Sequence, residues 1–303
     1  MSNLPLARFT VERVAELRAN PDWFEKAWNS DSTRVLILHE LKIPVSNELS
    51  IIWVKPAAIS LSPDEAKSCA LLLGADSDHT YLALMHETVA LDDVTFTSLR
   101  GVGAQLSATD VGLATAATAL ATWHAGHQFC PGCGNATTVT MAGWSRYCAM
   151  HETEHYPRTE PAMIVAVEDL NGRILLGRRK EWPEGWLSTL AGFVEAGESC
   201  EAAVIREVYE ESGIHVDLES LKYMGSQPWP FPASLMLAYR AVATSTEVSL
   251  LDDEMTEVRW FTRDELKTAC LAKTLSLPSP VSIAFRLIQH WYGEEIPMTW
   301  CRN

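Results

Sequence analysis

The sequence predicts an α+β protein in three successive parts: a β-rich N-terminal domain, a short cysteine-bearing middle, and a C-terminal part of mixed strands and helices. Three observations support this. Short apolar runs bounded by Asp, Asn, Ser and Pro recur between about residues 30 and 105, the pattern of strands joined by turns. Three of the seven cysteines fall within 130–148. After about residue 160, strand-like runs alternate with helical ones.

The N-terminal runs are RVLILH (34–39), SIIWVK (50–55), CALLLG (69–74) and TYLALM (80–85). From Ser107 to about His127 an Ala- and Leu-rich segment with a Ser/Thr/Asp start reads as a helix. No residue in this zone suggests chemistry, so it is expected to scaffold or to form a dimer. Residues 128–157 read as small and loop-like. Beyond them, AMIVAVE (162–168) and RILLGR (173–178) flank Asp169 and the Asn171-Gly172 turn, a hairpin signal. A helix over 200–212 takes Ser199 as N-cap and stops at Gly213. SLMLAYRAVA (234–243) and EVRWF (257–261) are strands, and Thr262–Glu265 is a capping box opening another helix. The last helix is expected to begin at Ser279-Pro280 and to run through IAFRLIQHW.

With 303 residues the chain is long enough for two domains, and 47% hydrophobic with 21% charged residues is ordinary globular usage. A formal charge of −15 argues against a broad basic face for nucleic acid, while leaving room for a local basic pocket. The cysteines are too scattered for a disulfide scaffold. The N-terminal residues lack the apolar core of a secretory signal, and Val111 to Trp123 is too short and too Thr/Ala-rich to span a bilayer. The expectation is a soluble, reduced, cytoplasmic protein without membrane contact.

The most informative segment is GFVEAGESCEAAVIREVYEESGI (192–214). Glu207, Glu210 and Glu211 stand at i, i+3 and i+4, so all three carboxylates share one helical face. Like charges so spaced repel, and a helix built only for stability avoids them. Hard divalent cations such as Mg²⁺ or Mn²⁺ want such a cluster. Val204 and Val208 can face the core behind it, and Arg206 can hold a Glu by a two-pronged hydrogen bond. Gly192 and Gly197 allow a tight loop, where Glu198 adds a further carboxylate.

These residues resemble the Nudix box, G-x5-E-x7-R-E-U-x-E-E-x-G-U with U apolar, through Gly192, Glu198, Arg206, Glu207, Val208, Glu210, Glu211, Gly213 and Ile214. A chance match to its seven strictly fixed positions is on the order of one in a million chains, which decides against a merely solvated charged face. The resemblance to Nudix hydrolases implies an α/β/α sandwich with a mixed sheet that hydrolyses nucleoside diphosphates linked to another group. It also implies that Glu207, Glu210 and Glu211 are metal ligands, with Arg206 part of the catalytic set.

Downstream stands SQPWPFPAS (226–234), in which three prolines stiffen a stretch carrying Trp229 and Phe231. After a Nudix box, SQPWPFPxS resembles the hallmark of the NADH pyrophosphatase family. YPR (156–158) after the cysteine cluster and VSIAFRLI (281–288) agree with that family. The resemblance implies a distal metal-binding carboxylate at Glu254. It implies a nicotinamide platform from Phe193 and Trp229 of the partner subunit, hence a homodimer. Tyr156, Ile164, Ser234, Met236 and Ala284 resemble pocket-lining positions, with core packing the plainer reading of Ile164, Met236 and Ala284. Arg178, Arg179 and Lys180 form a basic triplet that reads equally as a pyrophosphate or RNA contact and as a solvated loop.

Cys130-Pro-Gly-Cys133, then Cys148-Ala-Met-His151, has the C-x2-C…C-x2-H spacing of a structural zinc site. The family has a fourth Cys where this chain has His151, and His155 is an alternative fourth ligand. Four protein ligands would leave no position for substrate. His124 and His127 read as helix-end residues. The expected domains are therefore 1–127, related to the N-terminal domain of NADH pyrophosphatases; 128–157, a zinc ribbon; and 158–303, the Nudix catalytic domain. The expected reaction is metal-dependent cleavage of NADH or NAD⁺ to a nicotinamide mononucleotide and AMP, with removal of NAD caps from RNA as a second reading. Cleavage of ADP-ribose or dinucleoside polyphosphates, and a non-catalytic nucleotide-sensing module, are the alternatives.

Overall fold

A strand buried on both faces reads as an unbroken apolar run, and Ala162–Val167 is such a run. In the computed structural model, which describes residues 4–86, 94–251 and 253–302, this run lies in strand β9 (Glu160–Glu168). The chain divides into two units: residues 4–7, 160–228 and 234–302 form one, and residues 8–159 with 229–233 form the other. Each is described in turn, the N-terminal one first.

Its elements in order are α1 (Trp23–Trp28), β1 (Thr33–Leu38), β2 (Ile43–Val45), α2 (Pro63–Cys69), β3 (Ala70–Ala75), β4 (Thr80–Met85), β5 (Thr95–Thr97), α3 (Leu99–Val102) and α4 (Ala108–Gly126). Strands β1, β4 and β3 form one sheet in that order, with β1 parallel and β3 antiparallel to β4. Phe24, Val35, Ile37, Leu72, Leu82 and Leu84 fill its core. Helix α4 starts where Ser107 Oγ accepts from Asp110 N.

Residues 50–55 do not make the expected strand. Ile51 bridges Val45 whereas Val54 bridges Val35, so the segment pairs with two different strands and extends neither ladder. Residues 128–157 hold more regular structure than a loop: β6 (Thr138–Thr140), β7 (Ser145–Cys148) and β8 (Thr153–His155) form an antiparallel sheet. Gly143 (φ +91°) lets this sheet approach β3, since a Cβ there would lie 2.4 Å from Leu71 Cδ2. Trp144 Nε1 donates to Leu72 O at 2.7 Å beside it.

The C-terminal unit contains β9, β10 (Ile174–Arg179), β11 (Leu190–Phe193), α5 (Cys200–Ser212), β12 (Lys222–Trp229, its last residue grouped with the other unit), β13 (Ser234–Val242), β14 (Met255–Phe261), α6 (Arg263–Leu271) and α7 (Ile283–Tyr292). Its sheet runs β12-β13-β9-β10-β14, with β11 also on β9. The β9–β13 pair is parallel, Ser234 opposite Glu160 through Val242 opposite Glu168, and the others on β9 are antiparallel, so the sheet is mixed. At the β9–β10 hairpin Asp169 Oδ1 accepts from the amides of Asn171 and Arg173, and Gly172 takes φ +75°.

The pleat sends alternate side chains to two cores. Ile164, Ala166, Ile174 and Leu176 join Leu266 of α6 and Phe285 and Ile288 of α7. Met163, Val165, Val167 and Leu175 join Val204 and Val208 of α5. Both valines are fully buried, stabilising the helix by about 1.5–3 kcal/mol each. Two helical layers on one mixed sheet make the α/β/α sandwich. Leu4 belongs to the α7-side core. Helix α7 begins later than expected. Ser279 and Ser282 close a turn of their own (Ser282 N to Ser279 O, 2.8 Å), and Ser282, not Ser279, is the cap, its Oγ accepting from Ala284 N. No helix among the described residues is long and apolar enough to cross a membrane.

Candidate active site

Helix α5 is started by Ser199, whose Oγ accepts from Ala202 N at 3.1 Å, and ended by Gly213 in the left-handed conformation (φ +70°). With its valine face buried, the opposite side presents Arg206 and Glu210, while Glu207 lies on the flank against β11. The preceding loop is tied by Glu195, whose amide donates to Glu198 Oε2 at 3.0 Å.

Arg206 is the hub. Its Nε and Nη2 grip both oxygens of Glu198, at 2.9 and 2.8 Å. Its Nη1 donates to Glu207 Oε1 at 2.8 Å and Glu210 Oε2 at 3.0 Å, and Nη2 also donates to the Phe193 carbonyl at 2.9 Å. The two-pronged bond from Arg206 holds the Glu198 carboxyl far below its ordinary range, at about 2.

Glu207 and Glu211 shift the other way from Glu198. Burial pushes the Glu207 carboxyl up, against the pull of Arg206. Burial pushes Glu211 up to about 7, partly offset by Arg179. Glycine at 192 seats Glu207 against β11: a Cβ there would lie 1.9 Å from its Cδ. Glu211 is 2% exposed, and its Oε2 has no hydrogen-bond partner among the described residues. A buried carboxylate oxygen with nothing donating to it, beside two further carboxylates on one helix face, is the donor set that a hard cation satisfies. These residues fit a divalent metal.

Arg179, one of the basic triplet, stands in this cluster. Its Nη2 lies 3.3 Å from Glu211 Oε1 and 3.8 Å from Glu254 Oε2, so Glu254, largely exposed, is brought to the box carboxylates. Arg178 turns elsewhere, to Glu257 at 3.6 Å and the Trp182 carbonyl. Local sequence held no sign separating the two arginines; the partners of Arg179 lie far along the chain.

Ile164 and Ala284, 4% and 2% exposed, sit together in the α7-side core with Met236 packed against it. Ser234 opens β13 opposite Glu160. Phe193 ends β11 and is exposed. In the other unit Tyr156 is exposed and donates to Glu154 at 2.6 Å. There Arg100 lies over Trp229 and Phe231, 5.2 and 4.7 Å from the ring centroids.

The second ligand cluster is Cys130, Cys133, Cys148 and His151, whose ligand atoms all lie within 4.8 Å of one another. Cys130 Sγ is 3.6 Å from His151 Nδ1, and Cys133 Sγ is 3.6 Å from Cys148 Sγ. A tetrahedron with bonds of ~2.3 Å has edges of about 3.8 Å, so the spacing fits a four-coordinate metal of that size. Gly132 is required there, since a Cβ would lie 2.7 Å from His151 Cε1. His151, rather than His155, completes the cluster. His124 is buried and structural: Nε2 bonds the Gly143 carbonyl at 2.9 Å and Nδ1 faces Arg146 Nη1 at 3.0 Å.

Residues 158–279 match the family model described as the NUDIX domain. The chain is 43% identical over 202 residues to the NAD-capped RNA hydrolase NudC of Mycobacterium bovis, covering 64% of each protein. It is 40% identical over 200 residues to the NAD-capped RNA hydrolase NUDT12 of Homo sapiens, covering 62% of this chain and 43% of that one. The chain thus spans less than two thirds of the length of these relatives. Among solved structures, a NUDIX hydrolase from Nitrosomonas europaea has a TM-score of 0.40 and 23% identity, covering 46% of this chain and 79% of that one.

Proposed function

We propose that the chain, whose residues 158–279 match the NUDIX domain model, is a Nudix hydrolase that cleaves the pyrophosphate bond of NADH or NAD⁺, giving a nicotinamide mononucleotide and AMP. The observation that carries this is the carboxylate cluster of Glu198, Glu207, Glu210, Glu211 and Glu254, bound together by Arg206 and Arg179. Relatives about 40% identical that are named NAD-capped RNA hydrolases support extending the reading to NAD-capped RNA. The same bond is broken whether or not RNA continues from the adenosine.

Glu207, Glu210, Glu211 and Glu254 would hold Mg²⁺ or Mn²⁺, which supplies charge to the pyrophosphate oxygens and acidifies the attacking water. Arg206 keeps Glu207 and Glu210 aimed while its grip on Glu198 fixes the loop. Burial makes Glu207 and Glu211 costly to ionise, so a bound cation relieves them. Phe193, with Trp229 of the partner subunit, would offer flat faces for the nicotinamide, while Ile164, Met236 and Ala284 act as core residues behind the site. In residues 128–157, Cys130, Cys133, Cys148 and His151 would hold a structural Zn²⁺, leaving no position for substrate. We place the protein in the cytoplasm as a homodimer, with 1–127 as the N-terminal domain and 158–303 as the catalytic one.

Chromatography of products after incubation with NADH and Mg²⁺ or Mn²⁺ tests the reading. Equal NMNH and AMP, absent without metal and lost in Glu211→Gln, are expected. An intact dinucleotide after incubation with folded protein would sink it in favour of another nucleoside diphosphate substrate or a sensing module. Trp229→Ala should slow NADH cleavage more than ADP-ribose cleavage, because only NADH offers a nicotinamide to stack. Turnover of capped RNA that falls with salt while NADH turnover does not would favour the RNA substrate.

A further inference from the structure

One nitrogen, Arg179 Nη2, meets oxygens from three separate elements. It donates to the Ala191 carbonyl of β11 at 2.9 Å, lies 3.3 Å from Glu211 Oε1 of α5, and lies 3.8 Å from Glu254 Oε2 just before β14. Its placement follows from the strand. Arg179 shares the parity of Leu175, whose side chain joins the α5-side core, so the pleat turns it toward that helix. The register against β14 shifts between Arg178 and Arg179, so that Arg178 opposes Glu257 but Arg179 opposes Met255. The extra residue, Thr256, is on β14, so β10 keeps its alternation and Arg179 stays on the α5 side.

An ordinary ion pair joins one cation to one carboxylate. Here one nitrogen faces two carboxylates and a carbonyl. That oxygen set around a single point is one that hard divalent cations also take.

We propose that Arg179 is a tethered cation that competes with the divalent metal for Glu211, Glu254 and the Ala191 carbonyl. The proposal rests on the metal-carboxylate reading above. Arg179 gathers the three oxygens and withdraws when metal arrives. Its side chain is 37% exposed and anchored at a strand end, which leaves it a path outward. It is a positioning residue that sets the divalent concentration at which the site fills. Lysine would keep the charge with fewer donors, and glutamine would keep hydrogen-bonding capacity without charge.

The test is Mn²⁺ uptake by protein passed over a chelating resin, followed by loss of the free Mn²⁺ electron paramagnetic signal. Wild type, Arg179→Gln and Arg179→Lys are compared, each first shown to melt cooperatively; Arg179→Ala replaces the glutamine variant should that fail to fold. Arg179→Gln is expected to bind Mn²⁺ about threefold to tenfold more tightly, since a positive charge beside a doubly charged ion is gone. Arg179→Lys is expected to stay near wild type. A residue needed only for packing would not tighten metal binding when removed. Unchanged or weaker uptake in Arg179→Gln, with wild type binding normally, overturns the proposal and leaves the metal reading standing. No uptake by any of the proteins overturns the metal reading, and this proposal with it.

Discussion

The two ligand clusters differ in what holds them. The carboxylates ride on a helix whose valines are fixed in a buried core, and two arginines tie them together. The sulfur cluster is carried by a turn before β6, the end of β7 and the turn after it, and its contacts are among its own members and with Asn135, whose Nδ2 donates to Cys133 Sγ at 3.3 Å. The difference teaches which cluster should need its metal to exist. An oxygen cluster pre-assembled on a packed scaffold needs metal for chemistry; a sulfur cluster on a thin scaffold needs metal for structure.

The largest expected effect therefore falls on the ribbon. On the zinc site proposed above, Cys148→Ser, or metal removal by a strong chelator, should unfold residues 128–157 locally, since structural zinc contributes on the order of 10 kcal/mol to such modules. Amide exchange would show loss of protection in β6–β8, and Trp144 fluorescence should change as its bond to the Leu72 carbonyl breaks. A ribbon that stays protected without zinc would erase the contrast.

Next comes Glu211→Gln, which keeps the shape and removes the charge. A drop in kcat of about 10³-fold with an unchanged melting temperature in excess metal is expected, the scale of losing one preorganised electrostatic group. Unfolding instead would mean that the oxygen cluster is structural as well.

The same carboxyl makes stability depend on pH. Its folded value of about 7 lies above the ordinary 4.5, so the folded state binds more protons between these values. Stability from this group is full below about 4.5 and is lost as pH rises through 7, by about 3 kcal/mol. Urea melts of metal-stripped wild type should show this fall and Glu211→Gln should not; parallel curves would contradict the burial argument.

The smallest effect sharpens the comparison by geometry alone. Gly192→Ala should push Glu207 out of its seat, since the added Cβ would lie 1.9 Å from Cδ. A displacement of about 1 Å can cost about a hundredfold in rate. Glu198, held separately by Arg206, should keep the loop ordered, which a crystal structure of the variant would check.

Much of this was legible in the chain. The Nudix box spacing put three glutamates on one face, and Ser199 and Gly213 bounded their helix correctly, because caps and i, i+4 neighbours are local. What stayed hidden was long-range or ambiguous. Arg179 looked like its neighbour Arg178 because its partners are 12, 32 and 75 residues away. Residues 50–55 have a strand's composition, but pairing with two strands rather than one is not written locally. Ser279 and Ser282 offer equivalent caps, and only the turn between them selects the second. The short strands β2 and β5 escaped notice because three residues, one of them Pro44, give too little pattern to read.

Residues 4–7 have a consequence for biosynthesis. The Leu6 amide donates to Gln227 Oε1 at 3.3 Å, and the fully buried Gln227 spends its own amide on the Val281 carbonyl. A segment thus docks onto a side chain that is made 221 residues after it. At a ribosomal pace of roughly 5–20 residues per second, that interval is on the order of ten to forty seconds. Through it the apolar Leu4 and Leu6 remain without their permanent shelter, available to whatever holds nascent chains.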